Sequence, residues 1–332
     1  TELMSHASPL ETLYQVYRAL RARREQHNLV MEDRQEFRWV LNESRQIESI
    51  EPSEKLLSQK LVEECMVAAN RCAARFMVAQ HANGPFVSHP GFRADRIDEF
   101  HKFLSLHAPE LTEFDQATVT GYRDIMLGLA RSKHDLPLRA MVNRLLTRAD
   151  LSCEPAPHMG MALDCYTNCT SPLRKYVDFL VHLQIKAVLH GGRAQQVDAD
   201  TLANLKLRLN ASRTATLEAE RWLASNYLKR TTQTQAAGDS APVFKATITH
   251  ITSGGFTARL DDNGLTGFVD LRKDPEKFSY DKWTASLTST TRRFQLNQAV
   301  ELNFVGVDTE VLYQSLFKPI PGCGLKPVAA KD

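Results

Sequence analysis

Residues 166–176 read Y-T-N-C-T-S-P-L-R-K-Y and run directly into the apolar stretch V-D-F-L-V-H-L-Q-I-K-A-V-L, which ends at Gly191-Gly192. Read on its own, this is a helix start. Thr170 or Ser171 can cap, and Pro172 fills the first turn, where a missing N–H costs nothing and the fixed φ suits a helix. The free amides of that turn, the helix dipole, and the charges of Arg174 and Lys175 would all favour an anion in front of it. An arginine fork fits phosphate best. The plain alternative is a well-capped helix whose Arg174 and Lys175 are simply solvated, and spacing alone does not separate the two.

The longer run E-P-A-P-H-M-G-M-A-L-D-C-Y-T-N-C-T-S-P-L-R-K-Y-V-D-F-L-V-H, residues 154–182, resembles the last block of the ribonuclease II family of exoribonucleases. In that family a T-S-P-I-R-R/K-Y loop holds the scissile phosphate. A second match lies upstream. Residues 53–82 have Leu57, Leu61, Met66, Val67, Ala69, Ala73, Phe76 and Met77 at helical spacing, with Glu63 and Asn70 two turns apart on one face. Those polar residues are by default solvated, yet L-V-E-E-C-M-V-A-A-N-R resembles the family's L-V-E-E-x-M-I-x-A-N helix, whose acidic face lines the RNA cavity. Departures are mild: the family's more common Y-T-H is Tyr166-Thr167-Asn168, and a frequent H-R is His182-Leu183.

The remainder of the chain is consistent with such a protein. Its 332 residues allow two or three domains, and 43% hydrophobic residues are ample for a core. No stretch approaches the roughly 18 to 20 apolar residues of a membrane span, and residues 1–8 lack the pattern of a signal peptide, so no membrane is expected and a cytoplasmic location is. Six cysteines include no C-x-x-C pair, which argues against a zinc ribbon or a disulfide framework. His89, His101, His107 and His134 fall into no metal-ligand spacing. A net charge of +2 means that any RNA site must be a local patch.

Secondary structure follows from periodicity. Helices are expected over 9–27, 53–82, 93–108, 115–131, 135–149, 172–190 and 200–230, the last with Leu202, Leu205, Leu209, Trp222, Leu223 and Tyr227 as core candidates. The stretch E-F-R-W-V-L-N-E-S-R-Q-I-E-S-I alternates about a polar turn and predicts a β-hairpin carrying Trp39. Residues 231–242 lack apolar bulk and read as a linker. From Val243 alternating strands, a Gly-Gly bend and an N-G turn predict a small barrel, and F-K-A-T-I-T-H-I-T-S-G-G-F-T-A-R-L resembles an S1-type OB-fold. In that resemblance Phe256 and Phe268 take the positions of surface aromatics, with Lys245, His250 and Arg259 nearby; each Phe could equally be barrel core. The usual H-x-S-E after the G-F-V strand is replaced by Asp270-Leu271-Arg272-Lys273.

The expected fold class is therefore α+β: residues 1–230 as a largely helical C-terminal portion of an RNB-type catalytic domain with a small sheet, 231–242 as linker, 243–318 as an S1-like OB-fold, and 319–332 as a flexible tail. The resemblance implies 3′-to-5′ hydrolysis of single-stranded RNA to 5′-monophosphates by a monomer using magnesium. Arg174 would stabilise the phosphoryl transition state, Thr170, Ser171 and Lys175 would hold phosphate, Tyr166, Trp39, Glu64 and Asn70 would line the RNA cavity, and Phe256, Phe268, Arg259 and Lys245 would grip the incoming strand. The family's metal-binding aspartate segment is absent from the sequence. The chain is accordingly expected to be the C-terminal half of such an enzyme, inactive without a partner half; the alternative is a non-catalytic RNA-binding or regulatory protein.

Overall fold

A computed structural model describes residues 7–30, 35–191, 197–235 and 242–326. The chain divides into two compact units. The first comprises Thr1–Asp33, Lys55–His134 and Leu138–Leu209, and the second Arg34–Glu54, Asp135–Pro137 and Asn210–Asp332.

In the first unit, helix α1 spans Ala7–His27 and α2 spans Leu57–Ala79. The face that α2 buries is partly polar: Glu64 and Asn70 share it with Ala74 and Met77. Two α1 arginines supply the partner for that polarity, because Glu64 takes an ion pair from Arg21 at 3.3 Å and from Arg24 at 3.0 Å. Arg21 and Arg24, near the end of α1, are thus committed to internal pairing. The end of α1 is tied by Asn28, whose Nδ2 donates to the Ala162 carbonyl at 2.7 Å.

Next come β3 (Phe86–Ser88), α3 (Ile97–His107), α4 (Val119–Arg131), α5 (Leu138–Val142) and β4 (Asp150–Ser152). Amphipathic spacing in α3 and α4 buries Phe100, Phe103 and Leu104 beside Tyr122, Ile125, Met126 and Leu129, and Phe92 stacks on Phe100 at 3.7 Å. Thr118 caps α4 by accepting from the Gly121 amide. The helix expected over 135–149 is cut short at Leu145. Backbone pairing of Arg93 N–H with the Leu145 carbonyl and of Thr147 N–H with the Gly91 carbonyl replaces further helical turns. β4 then pairs antiparallel with β3, Phe86 opposite Ser152.

Helix α6 covers Tyr176–Leu189 and α7 covers Ala199–Gln235. The helix expected over 172–190 therefore begins four residues late, a correction whose cause lies in the functional loop below. In α7, Leu202 and Leu205 are buried as expected, but Leu209, Trp222 and Leu223 are 42%, 47% and 38% exposed and are not core residues. The helix also runs on through Thr231–Gln235, the start of the expected linker; residues 236–241 lie outside the described residues.

The second unit is built on a closed barrel in the order β11-β12-β7-β6-β5, formed by β5 (Val243–Thr252), β6 (Gly255–Leu260), β7 (Thr266–Asp270), β11 (Ala299–Asp308) and β12 (Gln314–Pro319). This is the OB-like arrangement that the alternating pattern implied. The β7–β11 connection carries a further three-stranded sheet of β8 (Ser279–Asp281), β9 (Ser286–Thr288) and β10 (Arg293–Gln295). Its Phe294 is fully buried and meets Phe256 at 4.9 Å.

Two stretches make contacts across the expected divisions. The hairpin of β1 (Glu36–Leu41) and β2 (Ile47–Ser53) groups with the barrel rather than with the helical part. Local contacts explain it: the Phe37 ring lies where a Cβ on Gly264 would stand, at 2.2 Å, and Arg230 donates to Gln46 and to the Ile47 carbonyl. Gly264 also has φ +69°, so glycine is required there twice over. The tail expected from residue 319 is held as far as Leu325, which exchanges backbone hydrogen bonds with Arg293, while the Ile320 amide donates to Glu301.

Candidate nucleic-acid interface

The segment 166–178 is fixed mainly by side chains from its neighbours. Val87 of β3 donates its amide to the Tyr166 carbonyl at 2.8 Å, and the buried Thr167 hydroxyl donates to the Pro85 carbonyl at 2.6 Å. Asn70 of α2 then uses both ends of its amide. Its Nδ2 donates to the Tyr166 hydroxyl at 2.9 Å, and its Oδ1 accepts the Cys169 amide at 2.8 Å. The Cys169 carbonyl faces His182 Nε2 at 2.7 Å; since a carbonyl only accepts, that nitrogen carries the proton. Finally, the Ser171 amide donates to Asp178 Oδ1 at 2.8 Å.

That last bond displaces the helix start. Asp178 is the third residue of α6 and 1% exposed, so its carboxylate sits on the dipole's positive end and draws Ser171 into a turn ahead of the helix. The Ser171 carbonyl accepts the amides of Arg174 and Lys175, and Lys175, with no side-chain capping bond, becomes the N-cap. The expected cap by Thr170 or Ser171, with Pro172 in the first turn, is not what forms. Residues 172–174 instead bulge outward: Leu173 is fully exposed, and Arg174, Lys175 and Tyr176 are exposed behind it. Neither Arg174 nor Lys175 has a side-chain hydrogen bond or ion pair among the described residues, so two cations stand unneutralised on a loop whose base is rigid.

Thr170 and Ser171 flank this loop and are half-buried. Tyr166 and Asn70 are 8% and 5% exposed and satisfy one another, so they support the loop from beneath. Burial pushes the Tyr166 phenol up, against the Asn70 hydrogen bond. Glu64, 3% exposed between its two arginines, does not present a carboxylate to solvent. Behind Tyr166 lies the His158 ring, edge-on at 5.7 Å, with His89 a further 5.5 Å away. Burial, reinforced by His89, drives the His158 pKa down to about 4. His89 is lowered by burial as well.

Another basic feature of this unit was not singled out in the sequence. Arg71 and Arg75 lie one turn apart on α2, and Arg71 is lowered by burial and by the charges of Arg75 and Arg23, partly offset by Asp164. None of the three arginines has an ion pair among the described residues. Asp178 and His182 were likewise unassigned, although an acidic residue three positions past Lys175 is the signal of a first-turn carboxylate.

In the second unit the barrel sorts its residues by alternation. Phe256 is fully buried and belongs to the barrel interior, which corrects its expected place on the RNA-facing surface. Phe268, between buried Gly267 and Val269, faces outward opposite Thr257, whose other neighbour is His250. Arg259 lies between Thr247 and Thr266 on that outer face, and Lys245, two residues before Thr247, continues it. The structure thus brings Phe268, Arg259, His250 and Lys245 onto one face of the sheet. Trp39 stands half-buried in β1 opposite Ile50.

Among the described residues no group of three or more His, Cys, Asp or Glu side chains converges as a metal site. The magnesium implied by the family resemblance has no fitting donor set there.

Comparison with known proteins gives a consistent result. The RNB domain family matches residues 2–191. Exoribonuclease 2 of Sodalis glossinidius (strain morsitans) is 32% identical over 263 residues, covering 79% of this chain and 40% of the relative; the chain spans well under half the length of the curated relatives it matches. Among solved structures, the apo form of Mycoplasma genitalium RNase R superposes with a TM-score of 0.70 at 18% identity, covering 94% of this chain and 49% of that one. The same enzyme in complex with ribose-methylated single-stranded RNA gives 0.69 at 18% identity, with the same coverage.

Proposed function

This chain belongs to the RNB domain family, and from that premise we propose that it is the RNA-holding portion of a 3′-to-5′ exoribonuclease acting on single-stranded RNA. The observation that carries the reading is the loop at residues 170–175, which projects Arg174 and Lys175, without side-chain partners among the described residues, from a base fixed by Asn70, His182 and Asp178. Exposed cations on a loop whose backbone is hydrogen-bonded in place suit a phosphodiester, because the cost of ordering that backbone is met during folding rather than on binding. Arg174 is assigned to the phosphoryl oxygens, Lys175 and the hydroxyls of Thr170 and Ser171 to flanking phosphate contacts. Arg23, Arg71 and Arg75 add local positive charge to a chain whose formal net charge is only +2. The single-stranded RNA bound by the Mycoplasma RNase R supports RNA as the ligand class.

The barrel is assigned to the strand ahead of the cleaved end, as an S1-like module. Phe268 offers a stacking surface and Arg259 and Lys245 offer phosphate contacts, a sequence-tolerant combination. In this reading Asn70, Tyr166 and Glu64 shape the cavity from below rather than touching bases. Trp39 is kept as a candidate base contact. Magnesium, where bound, would activate water and neutralise charge on the phosphate; the described residues do not supply its ligands.

The test uses the purified chain with a 5′-labelled oligoribonucleotide. Binding that weakens steeply with salt, without shortening of the label in magnesium, is expected. Arg174→Ala should lower the affinity about tenfold. Binding indifferent to salt would refute the RNA reading, and processive shortening by the chain alone would refute the assignment as a holding portion.

A further inference from the structure

Three side chains reach the loop backbone from two helices. Asn70 accepts the Cys169 amide, His182 donates to the Cys169 carbonyl, and Asp178 accepts the Ser171 amide, all at 2.7–2.8 Å. The last of these is chemically costly. Asp178 is 1% exposed and its second oxygen, Oδ2, is buried with no donor among the described residues. A carboxylate also stands close to a loop proposed to hold a polyanion, and it takes the Ser171 N–H that would otherwise be free to bind one. Neither feature helps phosphate binding directly. What the carboxylate does achieve is the turn at 171–175, which delays α6 to Tyr176 and turns Leu173 and Arg174 outward.

Resting on the reading of that loop as a phosphate site, we propose that Asp178 is a positioning residue: assisted by Asn70 and His182, it holds the backbone at 169–171 so that Arg174 meets the RNA phosphate. Asp178 does not contact RNA. Without it the Ser171 amide is released, and residues 171–174 are free to continue α6 toward its N-terminus, with Pro172 in the first turn it favours. Arg174 would then lie within the helix instead of on the bulge.

The experiment is a double-mutant cycle on the full chain, read by fluorescence anisotropy with labelled oligoribonucleotide. D178A should weaken RNA about tenfold, the scale of one charge-assisted hydrogen bond. D178N keeps an acceptor for the Ser171 amide and should restore most of the affinity. In an R174A background D178A should cost less than about twofold, because the residue acts through Arg174. H182A, which removes an exposed side chain's bond to Cys169, should couple to Arg174 in the same direction and serves if D178A does not fold. Amide hydrogen exchange supplies a readout that needs no RNA: the Ser171 amide should exchange at least about tenfold faster in D178A, but not in D178N. A D178A defect of equal size with and without Arg174, or an unchanged Ser171 exchange rate, overturns the proposal. Should the wild-type chain bind no RNA, the phosphate reading fails while the exchange result still decides whether Asp178 holds the turn.

Discussion

Lowering the pH should destabilise the helical unit through His158. Its pKa of about 4 in the fold lies below the ordinary histidine value of 6.5, because burial and the neighbouring His89 ring disfavour the charged form. The folded chain therefore keeps His158 neutral where the unfolded chain takes up a proton. Stability is complete above the unfolded value and falls as pH drops from 6.5 toward about 4, below which both states are protonated. Relative to neutral pH, the loss works out at about 2 kcal/mol near pH 5 and about 3 kcal/mol near pH 4. His89, also lowered, adds in the same direction. The assay exploits the tryptophan distribution. Trp39, Trp222 and Trp283 all fall in the barrel-containing unit, so tryptophan fluorescence follows that unit alone, while ellipticity at helical wavelengths reports mainly the helical one, with a smaller share from the part of α7 beyond Leu209. Urea titrations between about pH 7 and pH 5 should show the ellipticity midpoint falling and the fluorescence midpoint much less affected. H158Q should flatten the pH dependence. A His158 imidazole that titrates near 6.5 by NMR in the folded chain would refute the reasoning.

Glu64→Ala should cost about 3 kcal/mol in urea unfolding, because it strands the guanidinium of Arg24, itself 12% exposed, without its partner; a loss below about 1 kcal/mol would mean that water readily replaces the carboxylate. Phe256→Ala should destabilise the barrel by about 3–5 kcal/mol, read by tryptophan fluorescence, for the loss of a fully buried ring. Phe268→Ala should leave that midpoint nearly unchanged while weakening RNA by about 1–3 kcal/mol, and the opposite pattern would invert the face assignment.

Helix positions were legible wherever an apolar stripe ran unbroken, as in α2 and α4. They were misread where a single side chain redirected the backbone. Asp178 is the clearest case: S-P-L-R reads as a capped helix start on local rules, and only a carboxylate seven residues on, buried by tertiary packing, makes it a bulge. The barrel was legible through period-two alternation, yet alternation does not say which side is inside. The buried Phe294 of the small sheet, 4.9 Å from Phe256, settles that Phe256 points inward. Glu64 was misjudged for a related reason. An exposed acid and a buried one look alike on a helical wheel, and its partners Arg21 and Arg24 lie some forty residues away on α1. The α7 residues Leu209, Trp222 and Leu223 look like core because they are apolar, and the sequence does not show that they are only partly covered among the described residues.

The outward bulge of the loop has a colloidal consequence. Leu173 is fully exposed, and Tyr176, Phe179 and Leu183 follow at helical spacing with exposures of 58%, 43% and 40%. A stripe of four large apolar side chains beside the exposed Arg174 and Lys175 is expected to adhere to detergent, hydrophobic resin and other copies of the chain. Solutions of the isolated chain should scatter more light as concentration rises. Polyanions seated on Arg174 and Lys175 should disperse them, by adding charge next to the sticky surface.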